Sequence, residues 1–230
     1  MSQAPTQASK SEQFRNALLI ATGIVVIAWF VPGLAVLTTP INYLGTQTHE
    51  LSHALAALAT GAQGIVVHVY ADGSGLTNTM GGNPILISSA GYLGATIAGA
   101  ALIAASSSEK RAKRALGILA GILAVGSLLW LRGDGIGVVT ALGWLAALGA
   151  LAKWGKGLWV ILAAQFLGLQ LCVASAQSLM TLLNVTALAT RESDAQNMAN
   201  LTGVPGLFWA LCWCVLAVMA VMAALRHAWR

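Results

Sequence analysis

Two histidines and a glutamate form the segment of this chain that is best suited to chemistry. His49, Glu50 and His53 stand in the sequence HELSH. On a helix, residues four apart lie on one face about one turn apart, so two imidazole nitrogens can bind one Zn²⁺. A glutamate beside such a pair can take a proton from a metal-activated water. The motif predicts a zinc hydrolase site in which His49 and His53 are ligands and Glu50 is the general base.

A plainer interpretation makes this segment an interfacial amphipathic helix whose polar side chains meet lipid headgroups. Gln47, Thr48 and Ser52 fit that interpretation as well. The chain has only 4 His and 7 Asp+Glu, however, and the motif places three of them together inside an apolar stretch. Ionisable groups at membrane depth are costly and usually functional. This scarcity favours the metal site.

Zinc in a catalytic site needs a third protein ligand and an open fourth position. Asp194, in RESDAQN, can serve, although an aspartate in the first turn of a helix capped by Ser193 also has a purely local role. Asp134 in RGDG is a second candidate, with an ordinary turn aspartate as its alternative. His68 and Asp72 are further candidates, and each has a local explanation as a strand residue or a turn residue.

The composition indicates that lipid is the main solvent. Of 230 residues, 57% are hydrophobic and only 8% are charged. Apolar helices can meet hydrocarbon directly because their backbone hydrogen bonds close within each helix. The net charge of +5 comes from short basic segments between apolar runs, which is typical of membrane topology signals. A soluble basic face for nucleic acid is absent from the sequence, so nucleic acid is not expected as a partner.

The order of apolar runs predicts an all-α polytopic membrane bundle of six or seven spanning helices. Residues 1–16 are expected to form a disordered polar tail, and residues 17–230 the membrane domain. Each run is close to the ~20 residues that span a bilayer. The runs cover residues 17–38, 41–60, 83–105, 115–131, 136–152, 158–183 and 205–225.

A short β-hairpin is expected after the second helix. Residues 63–79 combine the β-branched and aromatic run IVVHVY, the turn-like ADGSG and the returning segment LTNT. If all seven runs cross the membrane, the polar stretch that carries Asp194 lies on the face opposite the start of the HELSH helix. A site built from both requires one of them to reach into the membrane.

Four segments are similar to segments of a known family: HELSHALAALATGAQG, IVVHVYADGSGLTNT, SSAGYLGATIAGA and SDAQNMANLTGVPGLFWALCW. Together they resemble the site-2 protease family of intramembrane zinc metallopeptidases, in particular its compact bacterial branch. The resemblance implies that His49 and His53 are zinc ligands, that Glu50 is catalytic and that an aspartate on a later helix completes the site. The common family pattern ends in Leu-Asp-Gly, which RGDG matches poorly. The compact branch has Ser-Asp-Ala instead, which favours Asp194.

The glycines in AGYLGATIAGA resemble a family segment beside the active-site helix. Small residues let helix backbones approach closely in lipid, so Gly91 and Gly94 are interpreted as packing residues.

The predicted function is therefore an intramembrane zinc metalloprotease that acts on membrane proteins or membrane-anchored peptides. The expected location is a bacterial cell membrane. A catalytically inactive scaffold that binds clients is the alternative, although the intact Glu50 argues against it. A transporter with a bound metal predicts broken helices in two related halves, and the sequence shows no such repeat.

Overall fold

A computed structural model describes residues 7–30, 35–132, 135–188 and 193–228. Eight helices and one two-stranded antiparallel sheet are present in these residues. In chain order they are α1 (Gln7–Phe30), α2 (Ala35–Ala59), β1 (Gln63–Val69), β2 (Gly75–Met80), α3 (Pro84–Ala105), α4 (Glu109–Trp130), α5 (Gly135–Trp154), α6 (Gly157–Leu188), α7 (Asp194–Thr202) and α8 (Gly206–Ala228).

The predicted fold class is confirmed: the protein is an integral membrane helical bundle with a hairpin after the second helix. Within the described residues, five helices are long and apolar enough to cross a bilayer, namely α3, α4, α5, α6 and α8. A shorter apolar stretch, Phe14–Ala28, lies in α1. The polar helix α2 is not one of the five. It packs against α3, α4, α5, α6 and both strands, so the bundle encloses it.

Three helices begin earlier than the sequence predicted. Residues 7–16, which were expected in the disordered tail, lie in α1, whereas residues 1–6 lie outside the described residues. Helix α2 starts at Ala35 rather than at residue 41, and α4 starts at Glu109 rather than at residue 115. Polar residues were interpreted as the ends of α1 and α4, and Pro40 was interpreted as the boundary between the first two runs, although it lies inside α2. A helix that leaves the hydrocarbon can continue through polar residues, because water and headgroups satisfy their side chains.

Helix ends follow local capping chemistry that the sequence does carry. Asn83 caps α3, with Pro84 in the first helical position, and Ser108 caps α4. Ser193 caps α7, and Gly203 ends it in the left-handed conformation, φ 71°.

The hairpin is fastened at one edge to the end of α4. Strands β1 and β2 pair with Val67 opposite Thr77 and His68 opposite Leu76. The Val67 carbonyl accepts a hydrogen bond of 2.8 Å from the Arg132 backbone N–H.

Buried apolar residues of the described chain form three clusters, of which the smallest contains Phe14 and Leu18 and the other two bear on the polar face of α2. The main core joins α2, β1, α3, α4, α5 and α6, and it includes the fully buried Leu44, Leu116, Leu148 and Leu171. The second core is smaller and joins α3, α7 and α8. Its members are Tyr92, Ala195, Met198, Ala210 and Trp213. Helix α3 contributes to both, with Leu102 in the main core and Tyr92 in the second.

Candidate metal centre

Helix α2 places the HELSH residues deep in the bundle. His49 is fourteen residues beyond the start of the helix at Ala35, so the motif lies about 21 Å along it at 1.5 Å per residue. The neighbouring hydroxyls are satisfied within the helix, since Thr48 donates to the Leu44 carbonyl and Ser52 to the Thr48 carbonyl. This internal bonding lets a polar helix pack inside an apolar bundle.

Three potential ligand atoms converge at this depth. Nε2 of His49 and Nε2 of His53 are 3.1 Å apart, and each lies 3.3 Å from Oδ2 of Asp194. Donors bound to zinc at ~2.0–2.2 Å and at tetrahedral angles lie about 3.3 Å from one another. The triangle therefore has the size of one face of a tetrahedral zinc site. His49, His53 and Asp194 form a group that could hold a metal ion.

The two imidazoles are oriented by different means. Nδ1 of His53 donates a hydrogen bond of 2.6 Å to the Ile87 carbonyl at the start of α3. This bond fixes the tautomer and leaves the Nε2 lone pair directed at the ligand triangle. The ring of His49 instead makes a T-shaped contact with the ring of Tyr92, with ring centroids 4.7 Å apart. Tyr92 in turn stacks on Trp213, at 5.2 Å.

Asp194 reaches the histidines from the first turn of α7. The Ser193 hydroxyl accepts a hydrogen bond from the Gln196 N–H, so Ser193 performs the capping and the Asp194 carboxylate is left for the histidines. Burial alone raises the pKa of this carboxyl, but the imidazoles of His53 and His49, when they are protonated, lower it well below its usual value. The carboxylate is thus held in the anionic form that binds cations.

Gly91 provides the space in which these atoms meet. A Cβ built at Gly91 would overlap Nε2 of both His49 and His53. Any other residue would fill space next to both nitrogens, in which an ion that they share can sit. The interpretation of Gly91 as a packing residue therefore missed its proximity to the ligand triangle. Gly94 does behave as a packing residue, because a Cβ there would overlap the Ser52 side chain on α2.

Glu50 lies beside the triangle but is not one of its three ligand residues. It is 5% exposed, and its carboxylate points toward β2, where the Thr77 hydroxyl donates a hydrogen bond of 2.6 Å to Oε2. A buried carboxylate next to two candidate ligand histidines is the arrangement expected of a general base.

Two other candidate ligands, His68 and Asp72, have partners within the hairpin. His68 stacks on Tyr70 within the hairpin, with ring centroids 6.0 Å apart. Asp72 accepts hydrogen bonds from the backbone and hydroxyl of Ser74 in the hairpin turn. Neither belongs to the three-residue ligand group found in the described part of the chain. Asp134 lies outside the described residues.

Sequence reasoning also missed Tyr92, Trp213 and Thr77. Tyr92 stands next to Gly91, in the segment noted for its small residues, so an aromatic residue there was a usable signal. Trp213 and Thr77 gave none, because nothing in their local sequence separates them from ordinary span and strand residues.

The fold and the cluster together define a polytopic membrane protein with a candidate metal-dependent hydrolase site. A family model described as "Peptidase M50B-like" matches residues 20–224. The chain belongs to this family, which is the site-2 protease family of membrane metallopeptidases. Comparison with curated proteins and with solved structures gave no match.

Proposed function

We propose that this protein is an intramembrane zinc metalloprotease that hydrolyses peptide bonds of membrane proteins or membrane-anchored peptides. The ligand triangle of His49, His53 and Asp194 supports the proposal most strongly, because its edges of 3.1–3.3 Å match a zinc coordination face. Two imidazoles and one carboxylate are also a common ligand set of catalytic zinc. The resemblance to the compact bacterial branch favours a bacterial cell membrane.

Each residue has a defined part in this proposal. His49, His53 and Asp194 hold the ion and leave a fourth position for water or substrate. Glu50 accepts a proton from the attacking water and later returns it to the leaving amine. Zinc, when bound, supplies Lewis-acid activation of the water and of the scissile carbonyl. Gly91 keeps the coordination space open.

The surroundings of the site favour a membrane substrate. Helix α2 is enclosed by spanning helices and the hairpin, so the ligand triangle lies within the bundle rather than on a water-exposed domain. Segments already in the bilayer are the natural candidates, because they need no transfer from water.

The ligand assignment is tested by measuring zinc in the purified full chain. We expect Asp194→Ala to lose the zinc that the wild-type protein retains, whereas Asp134→Ala keeps it. The reverse pattern, with zinc lost only from the Asp134→Ala protein, would show that Asp134 is the third ligand and that our assignment is wrong.

The activity is tested by co-reconstituting the protein with a tagged single-span membrane protein. We expect Glu50→Gln to keep its zinc and to lose cleavage by at least about 100-fold, the lower range for removal of a general base. A wild-type protein that binds the tagged protein but processes it no better than Glu50→Gln would favour the scaffold function instead.

A further inference from the structure

One face of α2 is fastened to the hairpin by three hydroxyl groups. The Tyr43 hydroxyl donates to the Ala71 carbonyl, at 2.6 Å, and the Thr46 hydroxyl donates to the Gly73 carbonyl, at 2.7 Å. Residues 43, 46 and 50 follow the i, i+3, i+7 spacing of a single helix face. Glu50 is therefore the third contact of α2 with the hairpin, and here the hydroxyl comes from β2.

The contact at Glu50 is different in kind from the other two. Thr77 donates to the carboxylate oxygen Oε2 at 2.6 Å, and its oxygen also lies 3.0 Å from the Glu50 backbone carbonyl. Gly75, two residues earlier on β2, leaves room for the same carboxylate. A Cβ at Gly75 would lie 2.6 Å from Glu50 Cγ and 2.7 Å from Oε1. β2 thus both accommodates the carboxyl group and holds one of its oxygens.

We infer that Thr77 is a positioning residue for Glu50, an inference that rests on the proposed role of Glu50 as general base. A glutamate has three side-chain torsions, and a general base loses efficiency when its oxygen moves by a fraction of an ångström. A hydrogen bond to an ionised carboxylate is about twice as strong as one between neutral groups. Holding Oε2 limits rotation of the whole carboxyl group, so Oε1, which lies against Gly75, is fixed in orientation as well.

The alternative is that Thr77 merely fastens the hairpin. Tyr43 and Thr46 already do so at its turn. On the other strand, β1, the Val67 carbonyl accepts a hydrogen bond from the backbone N–H of Arg132, which follows α4. The hairpin thus keeps three ties when the Thr77 hydroxyl is removed. Loss of this hydroxyl therefore affects the carboxylate more than the fold.

The chain offers a matched control two residues away. Thr79 lies on the same face of β2 and is half-buried like Thr77, yet its side chain makes no hydrogen bond to any residue that the structure describes. Thr77→Val and Thr79→Val therefore make the same chemical change on one strand face. Thr77→Ser retains the hydroxyl.

The kinetic test uses purified full chain with bound zinc and a fluorogenic peptide. We expect Thr77→Val to lower kcat by about 10- to 100-fold, the cost of misplacing a reacting group by about 1 Å, with KM changed less than about twofold. Thr77→Ser should recover most of kcat, and Thr79→Val should resemble the wild type. A fall of kcat in Thr79→Val equal to that in Thr77→Val would show a general effect of strand packing and overturn the inference.

A second measurement does not depend on activity. Infrared difference spectra between the wild type and Glu50→Gln identify the Glu50 carboxylate bands. We expect these bands to shift in Thr77→Val and to stay in place in Thr79→Val. Unshifted bands in Thr77→Val would overturn the inference even in an active enzyme. Shifted bands in a protein without protease activity would support the Thr77 contact while the proposed function fails.

Discussion

The two cores contribute different numbers of residues to the candidate metal centre. Helix α2, which packs in the main core, carries His49, Glu50 and His53 over about one helical turn. The second core carries only Asp194, through the packing of α7 and α8 on Tyr92. The geometry of the first group is fixed by helix periodicity, whereas the position of Asp194 depends on how two helices dock. A substitution in the second core should therefore affect metal binding more than an equally disruptive one in the main core.

Two successive ring contacts, from Trp213 to Tyr92 and from Tyr92 to His49, join the two regions. Trp213 and Tyr92 belong to the second core, and the T-shaped contact of Tyr92 supports His49, a proposed ligand on α2. Docking of α7 and α8 thus both delivers Asp194 and supports His49. The second core and the metal ion are expected to stabilise one another, because an ion that binds only the docked state shifts the equilibrium toward it.

Gly91→Ala should produce the largest effect, because it acts where both regions meet. Its Cβ overlaps both ligand nitrogens, so either the ion is excluded or α3 moves away from α2. We expect zinc affinity to fall by at least about 100-fold, the upper end of the cost of losing an outer-shell partner. Competition with a chromogenic chelator measures this affinity.

The control is Gly121→Ala on α4, where a Cβ meets nothing within 4 Å. Both substitutions replace a helical glycine, which by itself favours the helix by up to about 1 kcal/mol. Unaltered zinc affinity in Gly91→Ala would show that the ion lies elsewhere.

A comparison of Trp213→Ala with Leu116→Ala tests directly whether the second core affects metal binding more than the main core does. Both side chains are buried, so each truncation leaves a cavity and costs at least about 2 kcal/mol. In a chain of this size that lowers Tm by roughly 4–8 °C.

Zinc affinity should separate the two variants. We expect a fall of about tenfold for Trp213→Ala, as for other outer-shell losses, and little change for Leu116→Ala. Equal losses of affinity, measured at a temperature where both variants are folded, would mean that the two cores act as one unit.

Ser193→Ala should lower zinc affinity less than Gly91→Ala or Trp213→Ala does. The Ser193 side chain caps α7 one residue before Asp194, and loss of such a cap costs about 1 kcal/mol. If that cost falls entirely on the docked position of Asp194, zinc affinity drops by about fivefold at most.

Ser108→Ala provides the comparison, because Ser108 caps α4 in the main core with a similar bond to the Arg111 N–H. We expect Ser108→Ala to lose a comparable amount of stability and to keep its zinc affinity, measured by the same competition with a chromogenic chelator. A loss of affinity in Ser108→Ala would contradict the separation between the cores.

Much of the fold was predictable because its signals are local. Asn83-Pro84 marks the start of α3, ADGSG marks the hairpin turn, and Ser193 and Gly203 mark the ends of α7. The early starts of α1 and α4 were missed because polar residues looked like helix ends. Their helical state depends on where the membrane surface lies, which no local pattern records.

The sequence by itself determined the pair of histidines, the glutamate between them and the membrane class. Helix periodicity and apolar composition are properties of short segments, so spacing alone carries them. Only the tertiary structure decided that α7 brings Asp194 within 3.3 Å of both histidines, that Gly91 clears the space between them and that Thr77 contacts Glu50. These contacts join residues between 27 and 145 positions apart in the chain, and the packing of the helices and the hairpin, rather than any local preference, sets such distances.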